Sequence, residues 1–407
     1  MTTKKLPFKY ELMIGFILSL ILICTPNPYL DRYVIPSYII DYSTGFGDRK
    51  FVGTLFNLFF GDYITSRELW IGTLIAYLLV IVLLSIIIGH LLRKAKSLNR
   101  SIFIANIIFI MLYIIGPWSF AYLFSTSNWG RIDIYMFLVT CIFIMLFCTK
   151  RRNILYYGLV FLLSGIGLLI HSVFSCTFYI LFISLFIFDI ANNHFNTKMI
   201  LGYGLNTLFI FSLFCYIHFK SSMTITLEEA LLLLNNKTDI EIEKLPIFYM
   251  HYAKLQDHMT DWIMPNIWHL IGGFSLTILL LLPFEFFIGY IIILLTKNTE
   301  KPLKYIYLIM FLCYSLSIPI FFITTDHVRW LGIIFFCIFA QFGVLLYKTD
   351  QSMLTTINII YSKAKKNPFI VSVLLLYAFA LPYFESFYYP KPVEIVLHIL
   401  HITPFSP

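Results

Sequence analysis

Three short stretches place charged side chains directly beside long apolar runs, and their residue types suit phosphate binding and acid–base chemistry. The first runs Gly45-Phe46-Gly47-Asp48-Arg49-Lys50-Phe51-Val52-Gly53, the second Asn128-Trp129-Gly130-Arg131-Ile132-Asp133, and the third Thr324-Thr325-Asp326-His327-Val328-Arg329-Trp330. A guanidinium stays charged, and its planar fork matches two phosphate oxygens at once. Arg49, Arg131 and Arg329, with Lys50 and His327 beside them, form a set able to hold a pyrophosphate headgroup. Asp41, Asp48, Asp133 and Asp326, together with His171 and His327, are candidates for a general base. The glycines at 45, 47 and 53 let backbone approach a ligand closely. A plainer reading stands beside this one. Asp48–Arg49, Arg131–Asp133 and Asp326–Arg329 can be ion pairs that tie helix ends together at a membrane boundary.

The elements that position these groups follow from composition. Of 407 residues, 59% are hydrophobic, 18% aromatic and only 12% charged, against about 45–50% apolar and about 25% charged in soluble domains. A soluble enzyme, a disordered chain and a disulfide-rich secreted module are excluded. Apolar runs between charged breaks give eleven candidate spans: 10–25, 69–90, 101–124, 132–148, 154–170, 173–190, 200–217, 266–296, 305–323, 331–347 and 368–388. The expected fold is all-α, a polytopic transmembrane bundle forming one integral membrane domain over 1–407. The pair 154–170 and 173–190 reads either as one long segment or as a hairpin turning near His171 and Ser172. Lys and Arg placement favours the hairpin, with the N-terminus in the cytoplasm and the C-terminus outside. In that topology most of the 29 basic residues lie inside and most of the 21 acidic residues outside. The apolar run after Lys4, Lys5 and Lys9 has no small-residue cleavage site, and reads as an uncleaved first span.

Two extracytoplasmic segments, 26–68 and 218–265, are too long to be simple connectors. In the first, Phe51 to Phe60 is apolar but too short to cross a bilayer, and reads as an interfacial or re-entrant helix. In the second, Thr226 and Glu229 form a capping-box pattern ahead of Ala230–Leu234. Cys24, Cys141, Cys148, Cys176, Cys215, Cys313 and Cys337 lie in apolar runs without zinc spacing, so no metal site or disulfide framework is indicated. No phosphate loop or dinucleotide fingerprint occurs. The net charge of +8 follows from the inside bias and gives no sign of nucleic-acid binding. Asn236-Lys237-Thr238 matches a glycosylation acceptor, a cheap match that Asn99-Arg100-Ser101 shares.

The chain resembles the GT-C class of membrane glycosyltransferases and the polymerases of bacterial O-antigen and capsule clusters. The resemblance rests on Gly45, Phe46, Arg49 and Gly53 in a "Gly-Phe-x-x-Arg-x-x-x-Gly" element, on Asp326, Arg329 and Trp330 in a late "Asp-x-x-Arg-Trp", and on the long first outer loop. Where relatives often carry His-Glu at the end of a middle span, this chain has His171-Ser172. The resemblance implies transfer of a sugar from, or onto, a polyprenyl-phosphate or pyrophosphate carrier at the outer face of the cytoplasmic membrane, with a glycan acceptor. It implies an acidic base in the first outer loop, Asp41 first and Asp48 second, with Arg49, Arg131 and Arg329 on the carrier phosphate. It admits a divalent metal, Mg or Mn, although no carboxylate cluster calls for one. Two other classes stay open. A transporter of a lipid-linked sugar would use Glu285, Asn106 and Gln341 within the bilayer, and a membrane acyltransferase would use His171 or His327 to activate a hydroxyl.

Overall fold

The computed structural model describes residues 8–24, 30, 32–116, 118–119, 129–149, 152–220, 223–252, 257, 260–261, 264–265, 267–300, 303–323 and 327–380, and every regular element among them is helical. Apolar runs uninterrupted by Pro or Gly pairs become helices because an apolar surround leaves backbone polar groups no partner but each other. Polar residues at their ends set where they begin. Asn99 accepts from the Ile102 amide at 2.7 Å, Asn153 from Tyr156 at 3.0 Å and Asp350 from Met353 at 2.8 Å, each capping the helix that follows. Thr226 and Glu229 make both bonds of the expected capping box ahead of Leu227–Asn235.

Among the described residues, three helices are long and apolar enough to cross a membrane: Ser66–Leu98, Thr197–Lys220 and Arg329–Tyr347. Shorter apolar helices occupy most of the remaining expected spans, including Arg100–Ile115, Asp133–Cys148, Ile154–Ile170 and Phe178–Asn192. The outward faces are apolar. Leu201, Leu205, Leu208 and Phe211 stand exposed at helical spacing on Thr197–Lys220, as do Leu12, Phe16 and Leu20 on Lys9–Cys24. Large apolar stripes turned outward invert the pattern of a water-soluble bundle and fit a hydrocarbon surround.

The chain divides into two compact units. One comprises 1–26, 84–127 and 268–407, the other 27–83 and 128–267, so the Ser66–Leu98 helix contributes to each. In the first unit, the half-buried Arg93 pairs with the largely enclosed Glu11, and the Trp118 indole packs on Phe284 with ring centroids 4.4 Å apart. Outside its predicted spans this unit holds an amphipathic helix, Gln351–Lys366, whose last turn carries Lys363, Lys365 and Lys366.

The second unit is a helix cluster closed by two polar clasps. At one end Arg152 donates from Nε to Asp189 at 2.6 Å and from its terminal nitrogens to the Thr149 and Phe147 carbonyls at 2.8 and 2.9 Å. The Tyr203 hydroxyl donates to the same Asp189 oxygen at 2.6 Å. At the other end, Ile154–Ile170 and Phe178–Asn192 are separate helices joined by a 3-10 turn over Ser172–Cys176, which is the hairpin alternative. The short apolar stretch Phe51–Phe60 is a helix with the expected bounds, and it lies against Pro36–Ile39 so closely that a Cβ at Gly53 would run into the Ile40 carbonyl.

Two stability outcomes follow. Arg152→Ala strands a buried Asp189 carboxylate and is expected to cost about 3–5 kcal/mol, read as a drop in unfolding midpoint of the detergent-solubilised protein. Gly53→Ala overpacks the helix contact and is expected to cost about 1–3 kcal/mol. An unfolding midpoint unchanged in both variants would contradict these assignments.

Candidate functional site

The two long polar segments, 26–68 and 218–265, fold onto each other in the second unit. The Ile64 amide donates to the Lys237 carbonyl at 2.8 Å, the Thr224 amide to the Thr44 carbonyl at 3.1 Å, and the Ser66 hydroxyl to Asp239 at 2.9 Å. Asp41 is the hub of this contact. Its carboxylate accepts from the Ser43 amide at 2.8 Å, from the Ser43 hydroxyl, from the Asn57 side-chain amide and from Lys237 Nζ at 3.0 Å. Burial raises the proton affinity of Asp41, but Ser43 and the Lys237 ammonium outweigh it and hold the carboxyl below its ordinary value. Four donors occupy both oxygens, so Asp41 joins the segments electrostatically and has little capacity left to take a proton.

Asp48 sits differently. Its oxygens accept from the Ser172 amide at 2.7 Å and the Ser172 hydroxyl at 2.9 Å, and His171 Nδ1 lies 3.3 Å away. This links the loop at 45–50 to the turn between two apolar helices, 124 residues along the chain. Asp48 keeps 21% of its side chain exposed, whereas Asp41 keeps 6%. Burial works against the charged form of Asp48, yet His171, Arg49 and the Ser172 amide override it and hold the carboxyl well below the carboxylate range. His171 is pushed below its ordinary value, chiefly by burial and then by Arg49, against the pull of Asp48 and Asp133. At neutral pH the pair is therefore a carboxylate beside a neutral imidazole. His171 Nδ1 also accepts from the Val173 amide at 3.4 Å, so Asp48 and the start of the 3-10 turn together fix the orientation of the ring.

The cations beside this pair are held by unusual backbone. Arg49 adopts φ +63°, a left-handed conformation that costs a non-glycine residue about 1–3 kcal/mol. Its Nε lies 3.7 Å from Asp48, and 27% of the side chain stays exposed. Gly45, at φ +112°, turns the chain so that the buried Lys50 ammonium donates to the Gly45 carbonyl at 2.9 Å. Burial lowers Lys50 to about 8, with Asp41 opposing it, so the amine remains mainly charged at neutral pH. Strain of this kind tends to collect where a side chain must be presented to a ligand.

Of the other expected groups, Arg131 and Asp133 belong to the same unit. The Arg131 guanidinium lies 5.8 Å from the Tyr33 ring, and the buried Tyr38 hydroxyl fixes the preceding turn by donating to Gly130 O at 2.5 Å. Arg329 and His327 belong to the other unit, where the buried Arg329 guanidinium stacks 4.3 Å above the Trp330 ring. Asp326 lies outside the described residues.

Four contributors carried no signal of role in the sequence: Ser172, Asn57, Lys237 and His251. His251 lies in the π-helical turn Phe248–Tyr252, within electrostatic reach of Arg49, Lys50 and Asp48. Burial and then those two cations push it down to about 3, with Asp48 opposing. Its Nε2 and the Tyr42 hydroxyl are buried without hydrogen-bond partners. The one feature that marks His251 in the sequence is a lone imidazole amid Phe248, Tyr249 and Tyr252 in a polar segment.

Among the described residues no three His, Cys, Asp or Glu side chains group as a metal would require. The two carboxylates nearest the site are already held by Lys237 and by Arg49 and Ser172, so the residues present do not fit a Mg or Mn centre. Compared with known protein families, with curated proteins and with solved structures, the chain gives no match.

The histidines give the site a pH dependence. Both bind fewer protons in the folded chain than at the ordinary value of 6.5. Acidification thus favours the unfolded chain, and the stability they contribute is full above that value and declines as pH falls below it. Asp41 and Asp48 have lowered values, so their contribution persists until pH falls below the ordinary 3.8. Hydrogen exchange should show protection of 171–173 and 248–252 weakening from pH 7 to 5, while 41–45 holds. A flat profile across that window would contradict the assignment.

Proposed function

We propose that the protein is a membrane glycosyltransferase or polymerase acting on polyprenyl-(pyro)phosphate-linked sugars at the outer face of a bacterial cytoplasmic membrane. In this reading the chain crosses the bilayer eleven times, with its N-terminus inside and its C-terminus outside, and segments 26–68 and 218–265 lie outside. The observation that carries it is the Asp48–His171 pair with a strained, partly exposed Arg49 beside it, all on polar segments at the ends of apolar helices. Charges so close to hydrocarbon are costly, and they persist where they bind or react.

The chemistry is a single displacement. The acceptor hydroxyl attacks the anomeric carbon of the carrier-linked sugar, and the bond from that carbon to the phosphate oxygen breaks. The electron pair leaves with the phosphate. His171 takes the hydroxyl proton, held in orientation by Asp48, while Arg49 and the charge of Lys50 stabilise the departing phosphate. Arg131, in the same unit, is a further candidate for the carrier phosphate. Asp41 is a positioning residue that holds the two segments together.

The test is surface glycan together with single-turnover transfer from a synthetic polyprenyl-phosphate sugar. His171→Ala is expected to lower the chemical step by about 10²–10⁴-fold. Arg49→Ala should weaken carrier binding and leave protein levels normal. Asp41→Asn should reduce the amount of folded protein instead. Normal glycan in both the His171 and Arg49 variants, at normal expression, would remove this reading.

A further inference from the structure

We propose that His251 is a direct ligand of the phosphate group, its Nε2–H donating to a phosphate oxygen beside Arg49, and that the imidazole takes up one proton as the anion enters. The inference deepens the reading above and rests on it for the identity of the ligand. The first observation is that His251 Nε2 is buried and has no hydrogen-bond partner. A buried polar nitrogen left unpaired costs about 1–3 kcal/mol, and such atoms call for an explanation. The second is that its place is fixed from both sides. Ser37 Oγ lies 3.4 Å from the Met250 sulfur, and the Tyr252 hydroxyl donates to the Ile225 carbonyl at 2.8 Å. The π-turn between those anchors holds the ring in place, and π-turns recur at functional sites.

The third observation is the surrounding charge. The charges within electrostatic reach of His251 are Arg49, Lys50 and Asp48, two cations against one carboxylate. Asp48 is itself engaged by His171 and Ser172, and Lys50 faces Asp41. In this field an empty site keeps the imidazole neutral. An anion carrying about two negative charges near Arg49, as a pyrophosphate diester does, reverses the field and makes the imidazolium favourable. The unpartnered Tyr42 hydroxyl, also within the field of Asp48, is placed to serve the same anion. The proton comes from solvent and adds to the ring nitrogen that carries none, while Nε2–H donates to the anion.

The test uses the full chain in lipid nanodiscs, with inorganic sulfate as a tetrahedral dianion that does not titrate above pH 5. Affinity is measured by calorimetry from pH 7.5 to 5.5 in two buffers of different ionisation enthalpy. The wild type should gain about tenfold in affinity per pH unit and take up about one proton per bound anion. His251→Gln should bind with a flat pH profile and no uptake, and Arg49→Ala should bind weakly at every pH. Because a variant can misfold, the wild-type slope is decisive by itself: a flat wild-type profile overturns the proposal. Undiminished uptake in a folded His251→Gln protein also overturns it, and leaves the glycosyltransferase reading standing. Repeating the titration with inorganic pyrophosphate and with polyprenyl pyrophosphate in the nanodisc separates a free anion from a lipid headgroup. Absence of binding to all three probes overturns the phosphate site and this proposal together.

Discussion

A carboxylate that has been taken out of water must be repaid by donors, and at Asp41 those donors come from both long polar segments. Ser43 and Asn57 reach it from its own segment and Lys237 from the other. Removing one member of such a buried pair leaves an uncompensated charge, which is why the arrangement tolerates so little change. The remaining geometry depends on it. The loop at 45–50 follows the short 3-10 turn Tyr42–Thr44 that Asp41 caps, and its left-handed Arg49 and buried Lys50 hold their positions only if the segment beneath them is pinned. The π-turn that carries His251 belongs to the partner segment and is anchored through Met250 on Ser37 and Tyr252 on Ile225.

Asp41 and Asp48 are seven positions apart and chemically identical, yet their environments divide the work between them. Asp41 meets four donors and is nearly enclosed, so it behaves as structure. Asp48 meets a hydroxyl and an amide from Ser172, a guanidinium and an imidazole, and it stays partly open. Surroundings, not residue type, assign such roles.

This division was only partly legible in the sequence. The helical architecture was readable because apolar runs and capping residues are local signals: Phe51–Phe60 and the capping box at Thr226 follow from neighbours a few residues away, whereas the break at His171 was favoured only by Lys and Arg placement along the chain. Asp48, Arg49 and His171 stood out as charges against apolar background. What closes the site did not. Lys237 is 196 residues from Asp41, and its triplet Asn236-Lys237-Thr238 suggested glycosylation because spacing alone says nothing about a distant carboxylate. Ser172, placed where relatives of the resembling pattern carry Glu, supplies two donors to Asp48 and so works as an anchor in its own right. His251 was hidden because an imidazole among aromatics looks like packing until the two arginine and lysine neighbours are brought beside it by the fold.

The long sequence separation between Asp41 and Lys237 also sets an order of events during biosynthesis. At about 5–20 residues per second, the ribosome makes Lys237 roughly 10–40 s after Asp41. Throughout that interval Asp41 is without its lysine, and until His171 and Ser172 are made the loop bearing Arg49 lacks its anchor as well. The cluster around Asp41 is thus completed late, and a chain released early would be a helical stub in which Asp41 lacks Lys237.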